Sequence, residues 1–401
     1  MKKGYLLLIS LCFYWISASA QTIKTAVLVI GNGNSAWAAG LQAATSGVKT
    51  VILTQTNQFE LHDPGLNLHS GIEQEFLNRL KRQSGNLTTP TGLNTVVANE
   101  LIKQWSDTVK NLDIIKNIRY LKVSRSGAGW VLKLSNGVTL KAKILVHAGG
   151  SELNSILNLP QSAAPFSTPL SYSNTTYRVS IASGFLTNNA SGTGSFSTLT
   201  SLIPKEQSGV ILANVEGPTM LVGQAAGAAA AYCAFFDKKT SEIRLKELQG
   251  ELLKYRLNLM PFADVSSDDP QWKAMQVMGL MGVLKASIKT DKILFNPEQK
   301  VLFVEIEQPV KDLYYKAQIW FDDHQTVPIT LENTISMICY VGNRSLQSTP
   351  AEIEKKWKTA YKFSTPFDLK QILTRRQFSV LINEYLQPLV VSVDGQGRII
   401  R

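Results

Sequence analysis

Gly31-x-Gly33-x-x-Ala36 is the first place in the chain where residue types and spacing suit a defined chemical task. Gly31 permits a tight turn after a strand, and Gly33 lets backbone approach a pyrophosphate with no side chain in the way. A small residue at 36 lets the following helix pack closely on a sheet, and the N-terminal amides of that helix stabilise phosphate charge. Gln55 stands at the end of the next strand-like run, where an Asp or Glu would accept hydrogen bonds from ribose hydroxyls. A neutral amide there gives up roughly 1 kcal/mol relative to a carboxylate, about five- to tenfold in affinity. Glu60 lies further along the chain and would need a rearranged loop to take over.

A second constellation runs from Glu216 to Gly227: Glu-Gly-Pro-Thr-Met-Leu-Val-Gly-Gln-Ala-Ala-Gly, followed by more alanines. Gly223 and Gly227 share one face of a helix, so a cofactor or a sheet can come close to its backbone there, with Gln224 beside them. The same residues equally describe a tightly packed Ala/Gly core helix. A third small-residue turn, Ala148-Gly149-Gly150, follows a strand-like run and is preceded by His147.

Acid–base candidates are few, because the chain has four histidines. His147 would sit at a strand end, where it either serves a reaction or satisfies the core. His62 and His69, with Asp63 between them, fit no compact metal motif and read as a solvated loop. Arg178, after Tyr177, would bind an anionic substrate or pair with a carboxylate. Cys233 and Cys339 fall in apolar helical segments and read as two buried thiols, with one disulfide as the alternative; zinc ligation has no support.

The elements that must position these residues are legible from patterning. Thr25 to Ile30 reads as a strand, Ala36 to about Ser46 as an Ala-rich helix closed by Gly47, and Thr50 to Leu53 as a second strand. Helical patterns cover Glu73 to Arg82 and Asn94 to Val109. Alternation then marks Ile118 to Ser124, Trp130 to Leu134 and Val138 to Ala142, with an Asn-Gly turn before the last. Lys143 to Val146 reads as a fourth short strand, residues 151–215 as a short loop-rich insertion, Val210 to Ala213 as a strand, and Pro218 to Phe236 as a helix. The texture turns to short amphipathic helices after a boundary near residue 255. Trp272, Met275, Gln276 and Gly279 follow one helical face.

With 401 residues, 44% hydrophobic and 18% charged, the chain has material for two or three domains. Lys2 and Lys3, an apolar run from Tyr5 to Ile16, and Ala18-Ser19-Ala20 read as a signal peptide of residues 1–20, so export to the periplasm or extracellular space is expected; a retained anchor is the alternative. No later stretch is long and apolar enough to span a membrane. The formal charge of +11 is carried by scattered basic residues with no basic stripe among aromatics, so nucleic acid is not expected. Weak attraction to an acidic cell envelope or a polyanionic glycan is.

These features together resemble the FAD-dependent oxidoreductases of the glutathione-reductase-like fold. A Rossmann unit at the mature N-terminus, a β-meander, a strand ending in Ala148-Gly149-Gly150, and the Gly-Gln-Ala-Ala-Gly helix are similar to an exported bacterial subgroup of that family. The resemblance implies an α/β fold: a Rossmann-like FAD-binding core over residues 21–255, made of a parallel sheet plus β-meander. It implies FAD held by Gly31, Gly33, Ala36, Gln55, Ala148, Gly149, Gly150, Gly223, Gln224 and Gly227. It also implies a small organic substrate, with carbohydrate-derived compounds as candidates, giving a hydride to flavin. The alternative is a catalytically inactive relative that keeps the fold as a binding or assembly module. The family's Ala-Thr-Gly turn has Gly149 for Thr, its glycine pair after the second strand is missing, and its substrate insertion is shortened to 151–215. Residues 256–401 resemble a surface-layer-homology-like helical region, through Phe262-Ala263-Asp264-Val265, Phe295-x-Pro297 and a partial second copy at Leu373 to Phe378. Such a region either docks to cell-wall glycan or simply packs on the core.

Overall fold

The structure is a computed structural model, and it describes residues 21–400 apart from 66–67, 85–91, 150, 160–167, 186–193, 205–206, 214–218, 290–291 and 326. The expected signal segment, Gly150 and the Glu216-Gly217-Pro218 start of the second motif lie outside the described residues.

Ten residues rich in β-branched and apolar types form β1, Thr22–Gly31. It is flanked in parallel by β2, Thr50–Leu53, and β6, Thr139–Ala148. Outside β2 lies β3, Leu112–Ile115, also parallel. The meander strands β4, Tyr120–Ser126, and β5, Gly129–Leu134, extend the sheet beyond β6 in antiparallel fashion. The order is β3-β2-β1-β6-β5-β4, with β10, Val210–Leu212, also on β6. This is the expected Rossmann-like parallel core with an attached meander.

One expectation needs correcting: Val138 to Ala142 and Lys143 to Val146 are not separate strands. They are the two halves of β6, in unbroken register with β1 from Thr22 opposite Thr139 to Gly31 opposite Ala148. The other edge of β6 changes partner instead, from β5 at Ala142 to β10 at Leu145. Lys141 and Lys143 mark the half-solvated part, and the last five residues are buried on both faces.

Parallel strands need cover on both sides. On one face, Val27, Val29, Ile52, Ile144 and Val146 join the large core beneath α1, Asn34–Thr45, and α6, Met220–Phe236. On the other, Leu28, Ile30, Val51, Leu53 and Leu145 pack with Trp130, Leu132 and α4, Ser151–Leu157. Between β2 and β3 run α2, Gly71–Ser84, and α3, Thr95–Asp107, the latter started by Asn94, whose side chain accepts from the amides of Val96 and Val97.

The middle segment carries more order than its composition suggests. Among its described residues β7, Thr168–Pro169, β8, Ser180–Phe185, and β9, Gly194–Thr198, form an antiparallel sheet in the order β7-β9-β8, followed by the single turn α5, Leu199–Leu202. Tyr177 and Arg178 lie in a short 3-10 turn just ahead of β8.

The C-terminal region comprises α7, Leu245–Lys254, α8, Trp272–Met281, the hairpin β11–β12, Ser287–Ile288 with Ile293–Leu294, and five further helices. These are α9, Phe303–Leu313, α10, Ala317–Asp323, α11, Leu331–Val341, α12, Thr349–Thr359, and α13, Arg375–Tyr385. The hydrophobic core passes through residue 255 without a break, joining Leu252 and Leu257 to Met260, Phe262 and Trp272. The helical face of α8 points inward: Gln276 accepts from the amides of Leu259 and Met260, and a Cβ on Gly279 would lie 2.2 Å from the Phe262 ring. Cys233 and Cys339 are buried free thiols. No helix among the described residues is long and apolar enough to cross a membrane, and no group of His, Cys, Asp and Glu among them could hold a metal.

Candidate cofactor site

The glycine turn sits where β1 and β6 end side by side. A Cβ on Gly31 would lie 2.2 Å from the Ala148 carbonyl oxygen and 3.0 Å from the Ala36 Cβ, so both Gly31 and the small residue at 36 are demanded by the chain's own packing. Gly149 closes the same corner, its added Cβ falling 3.3 Å from the Ile30 carbonyl oxygen. The predicted residues 31, 36, 148 and 149 are thus brought together.

Gly33 is different. Its backbone is extended, with φ −101° and ψ −173°, as the residue preceding α1. A Cβ there would meet only the Glu60 carbonyl oxygen, at 3.8 Å, so nothing in the described protein requires glycine at this position. Its carbonyl accepts from the amides of Ala36 and Trp37 at 3.1 and 3.2 Å, which starts the helix. No side chain caps α1, and no acidic residue lies in its first turn. The amide-rich end of α1 is therefore left for an anion or for solvent.

The segment after β2 runs past this turn and defines its rim. The Glu60 amide donates to Asn32 O at 2.7 Å. Asn34 Nδ2 donates to His62 O, and the His62 amide donates back to Asn34 Oδ1, both at 2.9 Å. Asn34 is thereby spent on fixing the rim and does not cap its helix. Gln55 is exposed just past the end of β2, and Glu60 and His62 are exposed on the rim.

The second constellation supports α1 from behind. A Cβ on Gly223 would fall 2.3 Å from the Ser35 carbonyl oxygen, and one on Gly227 2.2 Å from that of Ala39. The backbone that approaches these glycines is that of α1, in a close helix crossing. Gln224 is fully buried and engaged: Oε1 accepts from the Ile72 amide at 2.9 Å, and Nε2 donates to Gln42 Oε1 at 2.9 Å and Tyr255 O at 3.3 Å.

Glu73, which the sequence showed only as the start of an amphipathic helix, fills the N-terminus of α6. Oε2 accepts from the Met220 amide at 3.3 Å, and Oε1 meets His69 Nδ1 at 2.9 Å. Thr219 caps the same helix by accepting from the Val222 amide. Glu73 is wholly buried, and burial pushes its carboxyl above the usual range while His69 pulls it back. The signal was present as a His and a Glu four residues apart across the start of α2, His69 just before the helix and Glu73 in its first turn.

The two acid–base and anion-binding candidates are satisfied inside the protein. His147 is buried on the α4 side, its Nε2 2.6 Å from Asn154 Oδ1 and its Nδ1 accepting from the Gly149 amide at 3.4 Å. Those partners assign the proton to Nε2, and burial lowers the imidazole below its ordinary range. Arg178 is buried too, donating from Nε to Met281 O at 3.1 Å and from Nη1 to Gly397 O at 3.2 Å. It ties the C-terminal segment to the core through carbonyls, where a substrate anion or a carboxylate partner was expected.

The residues at the Gly33 turn suit the pyrophosphate part of a dinucleotide: an open cradle in front of backbone, and a helix end without its own counter-charge. No protein-family model matches the chain, and no curated protein does. Solved structures that match part of it include GidA from Aquifex aeolicus, with 20% identity over 31% of this chain and 24% of that one, and a TM-score of 0.22. A flavoprotein/dehydrogenase from Cytophaga hutchinsonii matches with 16% identity over 35% and 43% of the two chains, TM-score 0.27. Thioredoxin reductase from T. acidophilum matches with 20% identity over 32% and 36%, TM-score 0.21. The chain spans less than half the length of each.

Proposed function

We propose that this chain binds FAD at the N-terminus of α1 and acts as an exported FAD-dependent oxidoreductase on a small organic substrate, with carbohydrate-derived compounds as first candidates. The observation that carries this reading is Gly33, a glycine at an uncapped helix end whose added Cβ would make only ordinary contact with the Glu60 carbonyl oxygen, at 3.8 Å. Every other glycine of the two motifs whose surroundings are described is accounted for by contact with protein backbone. Gly33 and the first amides of α1 would hold the pyrophosphate, and Gln55 the adenosine ribose through one neutral bond. Bound flavin would accept a hydride from the substrate; the protein contributes position and charge.

A second reading is favoured by His147, Arg178 and Gln224, each committed to partners inside the fold. In that reading the chain keeps the cofactor fold as a binding or assembly module without turnover. Flavin titration followed by anaerobic mixing with sugars and sugar alcohols separates the two. Bleaching of bound flavin by a substrate supports the enzyme. Tight binding without bleaching supports the module, and a protein that ignores FAD contradicts the enzyme.

A further inference from the structure

The opposite ends of β1 and α6 from the glycine turn carry a surface that the cofactor reading does not use. Lys24, Arg125, Lys141, Lys143, Lys238 and Lys239 line one hollow of about 820 Å³, and all six are exposed. Asp237 is the single acidic residue on that lining. It meets Lys143 at 2.9 Å, with the two side chains 84% and 56% exposed, a solvent pair that opens at little cost. Arg125 is held over the Trp130 ring, 3.8 Å from its centroid, and donates to Gln207 Oε1 and the Ser208 carbonyl while staying exposed.

Directly beside this hollow the last turn of α6 turns two aromatic rings into solvent. Phe235 and Phe236 are 64% and 53% exposed, with ring centroids 5.0 Å apart, and the Tyr232 ring lies tilted against Phe236 at 4.9 Å. A second hollow of about 490 Å³ runs along this cluster. Its two carboxylates already have cations: Glu247 pairs with Arg244 at 3.0 Å and Glu251 with Lys254 at 3.6 Å. The surface therefore presents an apolar wedge with a basic flank; at its edge the exposed Glu242 carboxylate accepts from the Lys239 amide at 3.1 Å.

We infer that this end of the molecule docks on an anionic lipid bilayer, the six cations meeting headgroups while Phe235 and Phe236 enter the acyl boundary. Charge complementarity decides the class of partner, and the two phenylalanines decide between its members. A soluble polyanion would engage the cations and leave both rings in water, whereas a bilayer uses both features. Lysine stems can lie along the membrane surface with their ammonium groups among the headgroups. The net charge of +11 adds long-range attraction toward such a surface.

The test is sedimentation of the full chain with phosphatidylcholine vesicles and with vesicles in which about a third of the lipid is phosphatidylglycerol. The chain should bind the anionic vesicles more tightly and be released by high salt. Lys238→Glu/Lys239→Glu should weaken that binding at least about tenfold, and Phe235→Ser/Phe236→Ser should weaken it comparably. Val304→Ser removes a residue 76% exposed elsewhere and should bind as the parent does. The first twenty residues are common to every variant, so differences among variants report on this surface. Vesicle binding unchanged by both double variants would overturn the proposal. So would a dimer of the parent that Phe235→Ser/Phe236→Ser abolishes, since the rings would then serve a second copy. Loss with the lysine variant but none with the phenylalanine variant, together with equal binding to dextran sulfate, would assign the surface to a soluble polyanion instead.

Discussion

The N-termini of α1 and α6 are pressed against each other and built in opposite ways. That of α6 is finished by the protein itself: Thr219 caps it, and the buried Glu73 carboxylate accepts from its first amide. That of α1 has neither a capping side chain nor an acidic first turn, and in front of it a Cβ on Gly33 would meet only the Glu60 carbonyl oxygen, at 3.8 Å. Both stretches carry the glycines that a cofactor-binding helix needs, yet only one leaves room and partial positive charge for a ligand. The contrast shows that a Gly-x-x-x-Gly spacing records close approach without saying what approaches. At Gly223 and Gly227 it is the backbone of α1; at Gly33 it is left open.

The contrast is broken most forcefully by adding side chains. Gly227→Val and Gly31→Val push a Cβ into backbone that cannot yield and should destabilise the fold by more than about 3 kcal/mol, read by urea or thermal unfolding. Gly33→Val meets no such wall and should stay within about 1 kcal/mol of the parent. Comparable losses at 33 and 227 would erase the distinction between the two helices.

Glu73 is the next lever. Glu73→Ala leaves His69 and the Met220 amide without their partner and should cost about 1–3 kcal/mol. Its carboxyl is raised by burial, so the fold prefers the protonated form. That preference is in full force below the ordinary carboxylate range and fades as pH rises through the raised value. Glu73→Gln should flatten this limb of the stability–pH curve; an unchanged limb would mean that another group produces it.

His147 has the opposite sign. Its imidazole is lowered by burial, so the unfolded chain takes up the proton first. Stability is held above the ordinary imidazole range and falls as pH drops through it. His147→Gln should remove that acid-side loss, and nuclear magnetic resonance of the His147 ring should show a single neutral tautomer at neutral pH. The smallest effect is expected at the rim: Gln55→Glu should tighten FAD binding about five- to tenfold by supplying a charged acceptor for the ribose. No change would mean that the ribose lies elsewhere.

Much of the fold was readable because strand, turn and helix each left a local trace. The strand before Gly31, the Ala-rich α1, the Ser-Asn-Gly turn before β6 and the helix Met220–Phe236 are each set by periodicity and turn chemistry within a dozen residues or so. The continuity of β6 was not readable, since a lysine pair at 141 and 143 looks like a break until β1 is seen to pair with both halves. The small sheet of β7, β8 and β9 was missed because Ser, Thr and Gly carry little alternation. At the site, Gly31 and Ala36 were picked for the right geometry, but Glu73, the group that closes α6, lies far from it in the chain. Its contact with Met220 depends on long-range packing that no local pattern encodes.

The most direct measurement is FAD titration of the purified chain and of Gly33→Val, followed by visible absorbance and flavin fluorescence. The parent should bind FAD with saturable quenching or a shifted flavin spectrum, and the variant should unfold at nearly the same denaturant concentration while losing that binding. A parent that ignores FAD, or a folded Gly33→Val that binds it equally well, would contradict the assignment of the α1 N-terminus as the cofactor site.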